Sequence, residues 1–126
     1  MKKTIFITGA TSGIGKATAE VFAKQGHRLI ICGRRKEVLD NLQIQLSNFT
    51  DVYSLVFDVR NQQEVQNAIN SLPEEWKNID VLVNNAGNAH GLEPISDANI
   101  SDWDAMMDGN VKGLLYVSQP IIKLMK

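Results

Sequence analysis

The sequence predicts an α/β domain with a doubly wound parallel sheet, and three observations carry that expectation. Short, nearly uniformly apolar runs at residues 4–8, 28–32, 52–57 and 79–83 alternate with stretches of helical apolar spacing, the signature of strands buried on both faces. The first run breaks into Gly9, Gly13 and Gly15 and passes directly into a helix. Right-handed crossovers then place helices on both faces of the sheet, with an expected strand order beginning 3-2-1-4. In that order the C-terminal ends of strands one and four flank the switch point, where a ligand belongs.

Strand one, residues 4–8, is β-branched and aromatic, as a buried strand should be. From Ile14 the apolar residues Ile14, Ala17, Val21 and Phe22 recur at helical spacing up to Gly26, which stands where a helix-ending glycine belongs. Residues 28–32 form strand two, ending at Gly33, and the charged run Arg34-Arg35-Lys36-Glu37 leads into a helix with Val38, Leu39, Leu42 and Leu46 inward. Strand three spans residues 52–57. Asn61 with Glu64 three positions on forms a capping box, Val65, Ile69 and Leu72 line the next helix, and Pro73 closes it. After a loop carrying Trp76 comes strand four at residues 79–83, ending in Asn84-Asn85-Ala86-Gly87. Ser101 with Asp104 caps a last helix.

A strand, a tight turn and a helix start together make an anion site, because the helix N-terminus offers unpaired N–H groups and a favourable dipole. Glycines in the turn let a phosphate approach without meeting a Cβ and let helix and strand pack closely. The turn from Gly9 through Thr11, Ser12, Gly13 and Ile14 to Gly15 is therefore the candidate phosphate cradle. A P-loop is disfavoured: for Gly15-Lys16 to serve, the first required glycine would fall on Ala10 and the required hydroxyl on Ala17.

In a dinucleotide site, strand two should end near an acidic residue that binds the ribose 2′-hydroxyl. Here Gly33 takes that place and Arg34 and Arg35 follow, with the planar cations suited to a phosphate. The preference expected is NADP over NAD. Cations at a helix start oppose the helix dipole, which argues for a compensating anion against the alternative of two ordinary solvated arginines. Asp58, ending strand three, could accept from an adenine amino group while the backbone of Val59 reads the ring edge. The competing reading is a loop-starting Asp before a helix.

Composition narrows the classes. Among 126 residues, 44% hydrophobic and 21% charged, there is enough apolar material for one small domain. Thirteen Lys+Arg against fourteen Asp+Glu give a net charge of −1, so no global field recruits nucleic acid or an anionic membrane. Cys32 is the single cysteine and lies in an apolar strand. That leaves no disulfide or thiolate metal cluster, and a reducing compartment is expected. No apolar run approaches membrane-spanning length and the start does not read as a signal peptide, so a soluble, cytoplasmic protein is expected.

Taken together, residues 8–15, Asp58-Val59, residues 84–87 and Asn110-Val111-Lys112-Gly113 resemble, in order and spacing, the motifs of the short-chain dehydrogenase/reductase family. Residues 72–76, Asn84 to Gly87 and Glu93-Pro94 look like its branch of NADP-dependent 3-hydroxy acid dehydrogenases, which oxidise serine, allo-threonine and related β-hydroxy acids. The resemblance implies a Rossmann-type dinucleotide-binding domain whose glycine motif cradles the pyrophosphate of NADP. It implies that Asn85, Ala86 and Gly87 line the nicotinamide ribose side, and that Asn110 orders a proton-relay water. Read from residues alone, Asn110 could equally be a buried amide satisfied by backbone. The resemblance also implies a homo-oligomer, dimer or tetramer, formed through the last helix, and a small-molecule substrate.

One departure bears on chemistry. The family transfers protons with a Tyr-x-x-x-Lys pair, whereas four residues beyond Tyr53 is Phe57 and four beyond Tyr116 is Pro120. His27 and His90 stand alone, so no triad or metal set replaces the pair. The sequence thus looks like the N-terminal half of a reductase: one dinucleotide-binding unit over residues 1–126, stopped before the catalytic segment and inactive by itself. A non-catalytic NADP-binding or partner-binding module is the alternative. Strand four should form an open apolar edge, the last helix should carry apolar residues on more than one face, and Pro120 should bend it or loosen its last turn.

Overall fold

Four parallel strands run in the order β3-β2-β1-β4, as the alternating pattern predicts. The computed structural model of the chain describes residues 2–11, 13–85 and 112–125. Within them lie β1 (Thr4–Ile7), α1 (Gly13–Lys24), β2 (Arg28–Gly33), α2 (Lys36–Leu46), β3 (Val52–Val56), α3 (Gln62–Asn70), a 3-10 turn (Glu74–Trp76), β4 (Val81–Val83) and α4 (Gly113–Leu124). The expected cap at Ser101 and Asp104 lies outside the described residues.

Alternation along the strands sorts the core into two layers. Phe6, Ile30, Cys32 and Leu55 face one way and pack with Val65 and Ile69 of α3, Val117 and Ile121 of α4, and Trp76. Ile5, Ile7, Leu29 and Ile31 face the other way, onto Ala19 and Ala23 of α1 and Leu39, Leu42 and Leu46 of α2. The two central strands β1 and β2 are thus covered on both sides, which is why their runs are apolar throughout rather than alternating, while the flanking β3 and β4 are only partly buried.

The helix at Gly13–Lys24 forms as the spacing predicts, and its inner face is not the one its larger apolar residues mark. Ile14, Ala17 and Val21 are exposed, Phe22 is half-buried, and the buried positions are Gly15, Ala19 and Ala23. The small residues, not the large ones, mark its packed stripe against the sheet. Its C-terminus closes as expected at Gly26: the Gly26 N–H donates to the Ala23 carbonyl at 2.9 Å and the His27 N–H to the Phe22 carbonyl at 3.1 Å, the Schellman arrangement.

The capping box at Asn61 forms only in part. The Asn61 side chain accepts from the Glu64 N–H at 3.1 Å, but the Glu64 carboxylate reaches past Asn61 to the N–H of Asp58 at 3.3 Å. Strand four starts later than expected because the Ile79 N–H is spent on the Lys77 carbonyl in a turn. Pairing with β1 begins at Asp80, whose N–H donates to the Thr4 carbonyl at 2.9 Å. β4 stands at the sheet edge, as expected. Pro120 sits inside α4, yet the last turn is not loosened, since the Met125 N–H still reaches the Ile121 carbonyl at 3.0 Å. The second apolar stripe of that helix is present: Leu114, Leu115 and Ile122 are exposed while Val117 and Ile121 are fully buried.

At the N-terminal end of the strands, the Arg28 guanidinium lies 4.0 Å over the Trp76 ring and donates to the Glu75 carbonyl at 3.3 Å. Trp76, 8% exposed, belongs to the core rather than to a loose loop. Among the described residues no helix is long and apolar enough to cross a membrane.

Candidate functional site

The turn leaving β1 is held open by backbone geometry and fastened from the side. Gly9 (φ +60°) and Gly13 (φ +57°) occupy the left-handed region that other residues adopt only at a cost. A Cβ on Gly15 would overlap the Gly9 carbonyl and the Asn85 amide, so the first turn of α1 meets the loop backbone to backbone. The ladder runs on past the strands: the Thr8 N–H donates to the Val83 carbonyl at 3.0 Å and the Ala10 N–H to the Cys32 carbonyl at 3.2 Å.

Asn85 joins this turn to the end of β4. Its backbone N–H donates to the Thr8 hydroxyl at 3.0 Å, and its side-chain amide donates to the Gly9 carbonyl at 3.2 Å. Thr8 is 1% exposed, a buried hydroxyl retained because it bridges two strand ends. Asn84 points elsewhere, its amide donating to the Ser118 hydroxyl of α4 at 2.8 Å. The switch point expected between strands one and four is therefore a hydrogen-bonded unit.

Of the residues singled out from sequence, Gly9, Thr11, Gly13, Ile14, Gly15 and Asn85 come together around this turn. Thr11 also approaches Gly33, where a Cβ would stand 3.2 Å from the Thr11 Cγ2. Ile14 opens α1 with its side chain 76% exposed, an apolar group at the mouth of the crevice. Ser12, Ala86, Gly87 and Asn110 lie outside the described residues.

Arg34 and Arg35 follow β2 at the same end of the sheet, both exposed. Arg35 caps α2 in extended conformation without a side-chain cap. Among the described residues, no protein acceptor pairs with either guanidinium. Asp58 and Val59 follow β3 there too. The Arg60 guanidinium, followed by the Arg60 N–H and the charges of Arg60 and Arg34, holds the Asp58 carboxyl below its ordinary range, while partial burial works against this.

Sequence reasoning missed Arg60, although a signal existed. An aspartate that starts a loop accepts from the N–H two residues on, which here swings the Arg60 side chain back onto the carboxylate. It missed Thr8 as a clasp as well; a threonine ending an apolar strand was the cue. Cys32 is fully buried and burial raises its thiol pKa well above the ordinary value, so it packs rather than reacts.

The strand order, the glycine turn and the Asn85 clasp coincide with a match of residues 3–126 to the family model described as short chain dehydrogenase. The chain belongs to that family. An NADP-dependent 3-hydroxy acid dehydrogenase, YdfG, of Escherichia coli O6:H1 is 44% identical over 118 residues, covering 94% of this chain and 47% of the relative. Sulfoacetaldehyde reductase 2 of Chromohalobacter salexigens is 43% identical over 122 residues, covering 97% and 48%. Among solved structures, the closed form of serine dehydrogenase complexed with NADP+ superposes with a TM-score of 0.86 at 42% identity, covering 96% of this chain and 48% of that one. The chain spans about half the length of the curated relatives it matches.

Proposed function

We propose that this short-chain dehydrogenase chain is the NADP-binding unit of an oxidoreductase that interconverts a small hydroxy acid, or a related alcohol, and its carbonyl. The observation that carries the reading is the cradle at Gly15, where a missing Cβ brings helix and loop into backbone contact at the end of the sheet that also carries the exposed Arg34 and Arg35. A diphosphate fits such a cradle, and a 2′-phosphate fits the arginines. The relatives' names support NADP and a hydroxy acid.

In this reading Gly9, Thr11, Ser12, Gly13, Ile14 and Gly15 hold the pyrophosphate turn, and Arg34 and Arg35 select the 2′-phosphate. Asp58 and Val59 meet the adenine, while Asn85, Ala86 and Gly87 line the nicotinamide ribose. Asn110 positions a water for proton relay. NADP, when bound, supplies the hydride-carrying nicotinamide. The exposed stripe of α4 docks on a second copy, giving a homo-oligomer, and the buried thiol suits a reducing, cytoplasmic setting.

Isothermal titration with NADP and NAD tests the assignment. Replacing Arg34 and Arg35 together by Ala should weaken NADP by about 10-fold or more, one charge-assisted hydrogen bond or more, and leave NAD nearly unchanged. Equal losses for both coenzymes would return the arginines to solvated surface. The alternative reading is a non-catalytic NADP-binding module. Turnover of a β-hydroxy acid by the intact protein decides against it.

A further inference from the structure

Arg60 encloses Asp58 with an unusual share of its donors. The Arg60 N–H donates to Asp58 Oδ1 at 3.0 Å, its Nε lies 3.1 Å from Oδ1 and 3.3 Å from Oδ2, and its Nη2 donates to Oδ2 at 2.8 Å. An ionised carboxylate offers about four acceptor positions. One neighbour's three N–H groups make four contacts; with the forked Nε counted once, at its shorter distance to Oδ1, three positions are taken and one on Oδ2 remains. A planar fork engaging both oxygens also fixes the plane of the carboxylate, which a point charge would not do. The N–H of Asp58 is held in turn by the Glu64 carboxylate, so the loop is tied on both sides. Both Asp58 and Arg60 line an open cavity of about 910 Å³ at the C-terminal end of β3.

We propose that Arg60 is a positioning residue for purine selection: it keeps the Asp58 carboxylate in one orientation, as a pure acceptor with one position left. Such a group accepts from a 6-amino purine and opposes a 6-oxo purine, whose oxygen brings a lone pair against it. Arg60 touches the coenzyme through Asp58 rather than directly. The depressed carboxyl pKa agrees, because a protonated Asp58 would offer a donor and lose the discrimination. The inference rests on the reading that the adenosine end of NADP lies along the ends of β2 and β3.

Calorimetric titration of the intact protein with NADP and with its hypoxanthine counterpart tests it, comparing wild type, Arg60→Ala, Arg60→Lys and Asp58→Asn. Wild type should prefer NADP by roughly 10-fold, the range of one hydrogen bond to a charged group. Arg60→Ala should lose most of that preference, and Arg60→Lys should keep an intermediate part of it, since charge returns without the fork. Asp58→Asn should abolish the preference, because an amide can present either a donor or an acceptor. An undiminished preference in Arg60→Ala, or none in wild type, overturns the proposal while leaving the coenzyme assignment standing. Wild type that binds neither ligand overturns the coenzyme assignment and the proposal with it. Circular dichroism checks that the variants fold; should Arg60→Ala not fold, a full 10-fold preference in Arg60→Lys is the overturning result.

Discussion

Gly15 shows how little room single residues have around the crevice. A methyl there must displace the Gly9 carbonyl or the Asn85 amide. Overpacking of this kind costs about 1–3 kcal/mol. Gly15→Ala should therefore lower the urea midpoint measurably and weaken NADP even where the protein remains folded; a variant with unchanged midpoint and affinity would show that α1 can retreat from the loop. Asp58 makes a different kind of prediction. Its folded pKa is depressed by Arg60, so the stability it adds is complete above the ordinary carboxylate pKa and fades as pH falls through the lower folded value. Acid titration of stability should be shallower in Asp58→Asn than in wild type over that window. The effect should be small, because both side chains are partly exposed. Asp58 itself was legible in the sequence, since it ends an apolar run. Its partner was legible only in part: a loop-starting aspartate points to the N–H two residues on, but the fork of the Arg60 guanidinium over both carboxylate oxygens depends on a side-chain rotamer that the sequence does not specify.

Among the elements, α1 and α4 divide what a sequence pattern can and cannot reveal. Helical spacing located both, and in α2 and α3 it also identified the packed face, where Leu39, Leu42, Val65 and Ile69 are buried. In α1 the buried positions are Gly15, Ala19 and Ala23, which apolar spacing does not single out because it reports hydrophobicity rather than the room a side chain has. Ala19→Leu should accordingly destabilise by about 1–3 kcal/mol despite added hydrophobicity, measured by chemical unfolding. In α4 the buried stripe covers the sheet, and the exposed stripe, Leu114, Leu115 and Ile122, is the surface proposed to dock a second copy. Leu115→Glu with Ile122→Lys should shift the intact protein to a smaller species in sedimentation velocity. An unchanged assembly would place the contact elsewhere.

For the molecule as a whole, strand order was the most legible property, since alternating elements and a single crossover hand leave few topologies. Register and strand ends were less so: the turn at Ile79 and the reach of Glu64 to Asp58 are decided by where individual N–H groups find acceptors. The chemistry divides in the same way. The residues proposed to face the coenzyme announce themselves through glycines and charge, whereas the proton-transfer pair has no counterpart among these 126 residues. The chain of residues 1–126 should show no reduction of NADP with serine. Steady absorbance growth at the reduced-nicotinamide band would mean the active centre lies within it.

The Arg28 stack on Trp76 lends the protein a built-in optical gauge. The chain has two tryptophans, and with Trp103→Phe the indole under Arg28 would be the one tryptophan among residues 1–126, read selectively by excitation beyond tyrosine absorption. Shielded from water and next to a cation at the far pole from the crevice, it should glow blue-shifted in the native state, redden on denaturation and ignore coenzyme loading. One wavelength would then report folding by itself while a titration reports occupancy.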